Sequence, residues 1–176
     1  MKTAIVLAFG HLVGVTCSDN KLRPCKNDTV NKYSRMVYEA FKSAKTHHEM
    51  VASVMALRNT NFLSAIERLI PYSKSGSVPQ AVRPHVIFAL QYMAAANRDK
   101  FLSAIMPIIH NTTETTEIRI AAISTLFRAK PTLPELQELI SVTLNENNPE
   151  VLNFILTTGR VSLMFSLNCC TLSFKT

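Results

Sequence analysis

Phe62-Leu63-Ser64-Ala65-Ile66 recurs letter for letter as Phe101-Leu102-Ser103-Ala104-Ile105, and each copy closes a run of residues patterned for a helix. An Ala-Leu pair precedes each copy (Ala56-Leu57, Ala89-Leu90) and a proline follows it (Pro71, Pro107). The unit therefore reads as a helix pair with a stop at its end. A more diverged third copy carries Thr125-Leu126 on its first helix and Leu136, Leu139 and Ile140 on its second. Leu57, Leu90 and Leu126 lie 33 and then 36 residues apart (90 − 57 and 126 − 90), within the period of about 33 to 47 residues of helical solenoids. Such pairs cannot bury their apolar stripes singly. The pattern predicts an all-α fold in which successive pairs stack into a right-handed or curved layered array, an α-α superhelix of helical repeats.

Outward from the repeat, the other helices follow from caps and periodicity. Asp28 or Asn27 is expected to cap a helix reaching about Ala44, with Val30, Tyr33, Val37, Phe41 and Ala44 on one stripe. Thr46, with Glu49 three residues on, makes a capping box for a helix turning Met50, Val51, Val54 and Leu57 inward. Asn61 starts the first Phe-Leu-Ser-Ala-Ile helix, which Pro71 and an exposed loop, Ser73 to Ser77, end. The second unit opens at Val78-Pro79, with Pro84 in its first turn or two, and buries Val82, Val86, Ala89, Leu90 and Met93, then Phe101, Leu102, Ile105, Ile108 and Ile109. In the third, Ile118 to Phe127 is apolar over most of its circumference and belongs between neighbours. Thr132 and Glu135 cap its partner, which turns Leu136, Leu139, Ile140 and Leu144 back, and Pro149 opens a fourth first helix ending near Thr158.

At 176 residues, 47% hydrophobic and 18% charged, the chain can bury a sizeable core. No stretch reaches the roughly 18 consecutive apolar residues of a membrane span. The net charge of +7 is uneven: residues 1–45 hold eight basic and three acidic side chains. Those basic residues are dispersed, which reads as a solvated face, and no nucleic-acid partner is expected.

The search for chemistry finds no active site, metal site or cofactor site. His47-His48-Glu49 lacks the i, i+4 geometry of a zinc pair, and there is neither a Gly-x-Ser-x-Gly elbow nor a Gly-rich phosphate loop. Glu114/Glu117 and Glu135/Glu138 stand at helix starts, where the helix dipole accounts for them. Cys17 and Cys25 bracket a polar loop and read either as a local disulfide or as two free thiols. Asn27-Asp28-Thr29 and Asn111-Thr112-Thr113 are sequons, which makes Asn27 and Asn111 candidate glycosylation sites and favours a secretory route. Residues 1–16 admit two readings, a secretory signal peptide and a short buried helix whose apolar run is interrupted by Gly10, His11 and Gly14.

Several segments, taken together, resemble the N-terminal vitellogenin-type domain of the large lipid transfer proteins, the group of vitellogenins, apolipophorins and the microsomal triglyceride transfer protein. They are Glu117-Ile118-Arg119-Ile120-Ala121-Ala122, Lys130-Pro131-Thr132-Leu133, Val151-Leu152-Asn153-Phe154, Arg98-Asp99-Lys100, Met106-Pro107-Ile108 and the helix from Thr46 to Asn59. The resemblance covers about residues 4 to 158 and implies an arched double layer of helices that wraps lipid-bearing sheets in the family. It implies that residues 1–16 are an internal helix, that Cys17 and Cys25 are disulfide partners, that 17–158 is the helical-repeat domain and that 159–176 is a tail foreign to the family. Arg58 departs from the pattern, since the family usually has glycine there. The family's β-barrel and lipid-cavity sheets have no counterpart in the sequence, so the chain reads as a fragment of a secreted, non-enzymatic lipid transport protein. Lipid would be the cargo of the full-length protein, with a receptor or partner subunit at its outer surface, and the isolated piece is expected to self-associate. The alternative is a stand-alone, cytosolic HEAT-like scaffold that binds another protein.

Overall fold

A computed structural model describes the backbone of residues 2–18 and 25–172, with side chains in the last helix as far as Arg160. Every regular element among the described residues is helical: α1 (Lys2–Ser18), α2 (Asn27–Lys42), α3 (His47–Asn59), α4 (Leu63–Glu67), α5 (Arg83–Ala89), α6 (Arg98–His110), α7 (Thr116–Arg128), α8 (Leu133–Thr143) and α9 (Pro149–Leu172). Short 3-10 segments, Ile70–Ser73 and Leu90–Met93, extend α4 and α5. The odd-numbered helices pack in succession, α1 on α3, α3 on α5, α5 on α7 and α7 on α9. The even-numbered ones lie behind them, α2 against α3 and α4, α6 against α7, and α8 against α9. This is the expected all-α superhelix of stacked pairs.

The repeated leucines hold the core. Leu57, Leu90 and Leu126 are all fully buried, in one continuous apolar cluster running from Val37 on α2 to Ile155 on α9. Ile118 and Ile123 on α7 are buried completely, as its apolar circumference requires of a helix between neighbours. Thr46 and Glu49 form the capping box, with the Glu49 amide donating to Thr46 Oγ1 at 3.2 Å and the Thr46 amide to the Glu49 carboxylate at 3.3 Å.

Several boundaries differ from the sequence-based expectation, each for a local reason. The N-cap of α2 is Lys26, without a side-chain cap bond, so Asn27 and Asp28 fall inside the first turn, where the Asp28 charge still favours the helix dipole. Asn61 does not start α4: it sits at φ 54°, a left-handed conformation asparagine tolerates, and the helix begins at Leu63. That places the tight turn on Asn61 and leaves Arg58 in regular helix. Ser73 is buried, and only Lys74 to Ser77 form the exposed loop, around Gly76 at φ 74°. Pro107 does not stop α6 but lies inside it. Burial of Ile108 and Ile109 beyond it outweighs a proline cost of about 3 kcal/mol. Ile140 and Leu144 on α8 are exposed, at 59% and 79%, because no later described helix covers that side. The helix begun at Pro149 continues through Thr158 and Gly159 to Leu172, since a lone glycine is tolerated inside a helix.

Candidate functional site

Two kinds of junction hold the repeats, and both depend on residues whose role is invisible until the helices are stacked. At the N-terminal end α1 crosses α3 at very close range. A methyl group placed on Gly10 would lie 2.5 Å from the Ala56 carbonyl oxygen, and one on Gly14 would lie 2.1 Å from that of Asn59. The glycines that interrupt the apolar run of residues 1–16 are thus what lets the two backbones touch, four residues apart on one face of α1. Val13 is buried beside them, and Phe9 stacks edge-on against Tyr33 of α2 at 5.5 Å between ring centroids. In the last turn of α1, Cys17 is joined to Cys25 as a disulfide, with Cα atoms 4.9 Å apart. The bridge ties the end of α1 to the approach to α2.

Further along, three arginines act as staples. Arg83, at the start of α5, donates from Nε to the Ser73 carbonyl at 2.7 Å and from its two terminal nitrogens to the Glu114 carboxylate at 2.6 and 2.5 Å. Arg119 on α7 repeats the design, donating from Nε and Nη2 to the Ile109 carbonyl at 3.1 and 3.0 Å and pairing with Glu146. Each therefore clasps a carbonyl ten residues back and a carboxylate in the loop before the next odd-numbered helix. Both side chains of the Arg119–Glu146 pair are 2% exposed. Arg98, at the start of α6, holds the Ala129 carbonyl at 2.8 Å and the Glu135 carboxylate in a two-pronged pair.

The hydrogen bonds from Arg83, Arg98 and Arg119 hold the carboxyls of Glu114, Glu135 and Glu146 below the ordinary carboxylate value, against the opposing effect of burial. Glu114 and Glu135, read from sequence as helix-dipole residues, are in fact the acceptors of these staples. One signal in the sequence could have marked two of the arginines: Arg83 and Arg119 each stand seven residues before a repeated leucine, Leu90 and Leu126 (90 − 83 and 126 − 119).

The two sequons fall in different settings. Asn111, Thr112 and Thr113 are all exposed in the α6–α7 connection, where the Thr113 amide and hydroxyl donate to Asn111 Oδ1 at 3.0 and 2.8 Å. Asn27 is the first residue of α2, and its side chain lies outside the described residues. The structure does not bring Asn27 and Asn111 together. Among the described residues no group of three or more histidine, cysteine or acidic side chains is arranged to hold a metal ion, and no helix is long and apolar enough to cross a membrane.

Residues 1–158 match the family model of the vitellogenin TPR domain. The chain belongs to the vitellogenin TPR-domain family. Among its vitellogenin relatives, Vitellogenin-5 of Caenorhabditis elegans is 25% identical over 133 residues, which is 76% of this chain but 8% of that protein. Vitellogenin-6 of Oscheius tipulae is 24% identical over 155 residues, 82% of this chain and 9% of its own length. The chain thus spans less than a tenth of these vitellogenins. No solved structure matches it significantly. The vitellogenin match includes α1 and ends at residue 158, within α9.

Proposed function

We propose that this chain is a section of the helical arch of a lipid transport protein of the vitellogenin type, a structural wall without catalytic chemistry of its own. The observation that carries this reading is the family match across residues 1–158, which takes in every junction of the stacked array. The irregularity of the repeat supports it too. The first Phe-Leu-Ser-Ala-Ile copy sits on a five-residue helix and the second on one of 13 residues, as suits an arch shaped around an object more than a uniform scaffold. Lipid is then the cargo of the complete protein, and this section supports the container from outside.

A graft tests the reading. This chain replaces the matching section of a nematode vitellogenin, and the secreted product is assayed for co-purifying lipid. A chimera secreted with its lipid load supports the proposal; one that is folded, secreted and free of lipid sinks it.

The same reading places the chain in the secretory pathway, with a Cys17–Cys25 bridge, α1 retained as an internal helix and a glycan on Asn111. Support for Asn111 over Asn27 comes from its exposed, non-helical backbone and from the Thr113 hydroxyl donating to its side chain. Expression in a secreting eukaryotic cell, followed by enzymatic removal of N-glycans, should shift the mass by one glycan. Asn111→Gln should abolish that shift and Asn27→Gln should leave it.

A further inference from the structure

Among the described residues only Tyr38 and Tyr72 bring two phenol rings together. Tyr38 stands on α2 and Tyr72, 34 residues on, in the 3-10 segment that extends α4. Their hydroxyl oxygens are 3.0 Å apart in a hydrogen bond, with ring centroids 6.4 Å apart and ring planes crossed at 60°. The contact joins two internal elements and does not depend on the ends of the array.

The surroundings hold the two rings at this distance. Phe41, buried and one turn beyond Tyr38 on α2, packs edge-on against the Tyr72 ring at 4.9 Å between centroids. The Lys42 ammonium and the Arg68 guanidinium lie 5.9 and 5.4 Å from the Tyr38 ring centroid. Arg68 is the C-cap of α4, so it grips Tyr38 from the same element that leads into Tyr72. The Tyr72 amide donates to the Leu69 carbonyl at 2.9 Å, which fixes the turn presenting its ring. Both phenols are nevertheless only partly buried. The other two tyrosines stand apart: Tyr33 packs on Phe9, and Tyr92 is 41% exposed on the helical turn after α5.

Two phenols in this arrangement are set for oxidative coupling. We propose that Tyr38 and Tyr72 are a cross-linking site, joined carbon to carbon as dityrosine by a haem peroxidase that turns over hydrogen peroxide. Each phenol gives one electron and its hydroxyl proton to the oxidant and becomes a phenoxyl radical. The unpaired spin of each lies partly on the ring carbons next to the oxygen-bearing one, and two of these carbons, one from each ring, join. The hydrogen on each joined carbon then passes to its oxygen, which restores both aromatic rings and both hydroxyls. In balance, two hydrogens leave the chain and one hydrogen peroxide becomes two waters. In the product the hydroxyls flank the new bond and the rings are twisted out of a common plane, a relation that the 3.0 Å contact and the 60° angle already approach. A partner held at contact distance acts at high effective concentration, so coupling within the chain outruns coupling between chains. The bond ties α2 to the α4 segment and constrains the unfolded chain as a disulfide does. The inference does not depend on the lipid reading.

The full 176-residue chain, kept dilute, is treated with a haem peroxidase and hydrogen peroxide, and the monomer is recovered under denaturing conditions. It should gain dityrosine fluorescence, lose two hydrogens in mass, and yield on digestion a linked pair of peptides holding Tyr38 and Tyr72. Tyr38→Phe and Tyr72→Phe should each cut the monomer fluorescence by about 10-fold or more, whereas Tyr33→Phe and Tyr92→Phe should leave it within about twofold. Each substitution keeps the ring and removes one hydroxyl, so far-UV circular dichroism should match the parent. If it does not, the parent oxidised in urea serves instead, and its monomer fluorescence should also fall by about 10-fold because the contact is gone. Absence of dityrosine from the monomer overturns the proposal, as does dityrosine confined to linked dimers. So does a bond within the monomer that uses Tyr33 or Tyr92, or monomer fluorescence that survives Tyr38→Phe or urea.

Discussion

The junction of α1 with α3 and the junctions from α5 to α9 meet the same requirement by opposite means. The first is made by removing atoms: two glycines bring backbones together, and their contacts with Ala56 and Asn59 carry no charge. The others are made by adding a long cation that reaches both ways, as Arg83 and Arg119 do to a carbonyl behind and a carboxylate ahead. Glycine contacts tolerate no added volume but are indifferent to protons. Arginine staples tolerate small shifts of the helices but fail if either charge is lost. The difference teaches that a single superhelix can be sensitive to mutation everywhere and to pH only in part.

The largest expected effect breaks the staple side. Arg119→Met takes the donors from the Ile109 carbonyl and leaves the Glu146 carboxylate without a cation, still held by the Asn148 amide, and urea denaturation should show a loss of about 3 to 5 kcal/mol. Adding Glu146→Gln should recover part of it, because the uncompensated buried charge goes; full additivity of the two losses would mean that the pair is not coupled.

Next comes the glycine side. Gly14→Val puts a branched side chain where a single methyl already lies 2.1 Å from the Asn59 oxygen, and should cost about 1 to 3 kcal/mol or release α1 outright. Hydrogen exchange along residues 2–18 would separate these outcomes. Gly14→Ala is the sharper test of sign, since it stabilises an undocked helix by about 1 kcal/mol. An increase in melting temperature would show that α1 does not pack on α3 as described.

Acid should divide the molecule. The folded-state carboxyls of Glu114, Glu135 and Glu146 lie below their ordinary value of 4.5. Their contribution is therefore complete above that value and is lost as pH falls through the depressed folded values. On lowering the pH from 6 to about 3, the protection of backbone amides, measured against the intrinsic exchange rate at each pH, should fall from α5 to α9 before it does in α1 and α3. A uniform fall along the chain would remove the distinction between the two kinds of junction.

The smallest effect concerns the two strained turns. Lys130 lies at φ 53° and Asn61 at φ 54°, but only asparagine is suited to that conformation. Lys130→Gly should raise stability by up to about 1 kcal/mol in thermal unfolding, whereas Asn61→Gly should change it by no more than a few tenths.

Much of the fold was legible because periodicity and caps are local. The Thr46–Glu49 box, the buried Leu57, Leu90 and Leu126, and the apolar α7 all follow from spacing alone. The reading of α8 was less secure. Ile140 and Leu144 continue an apolar pattern, yet whether such residues are covered depends on the presence of a neighbour, which periodicity does not report. The staples were hidden for another reason: Arg119 and Glu146 are 27 residues apart, and a glutamate near a helix start is adequately explained by the dipole until its partner is seen. The sequons were legible as sequons, but the exposure of Asn111 and the turn that brings Thr113 to it belong to the folded loop.

The repeated pentapeptide shows where the division falls. Sequence by itself determined that Leu-Ser-Ala-Ile is helical in both places, that the helices pair and that the pairs stack, because apolar spacing near 3.6 residues has no other way to leave water. Only the tertiary structure decided that Phe62 is a partly buried N-cap before a five-residue helix while Phe101 is fully buried in a 13-residue one. It also decided that Gly10 and Gly14 are a contact surface and that Arg83 and Arg119 are staples. Helix formation depends on a few neighbouring residues. Burial, close approach and ion pairing depend on what another part of the chain brings alongside.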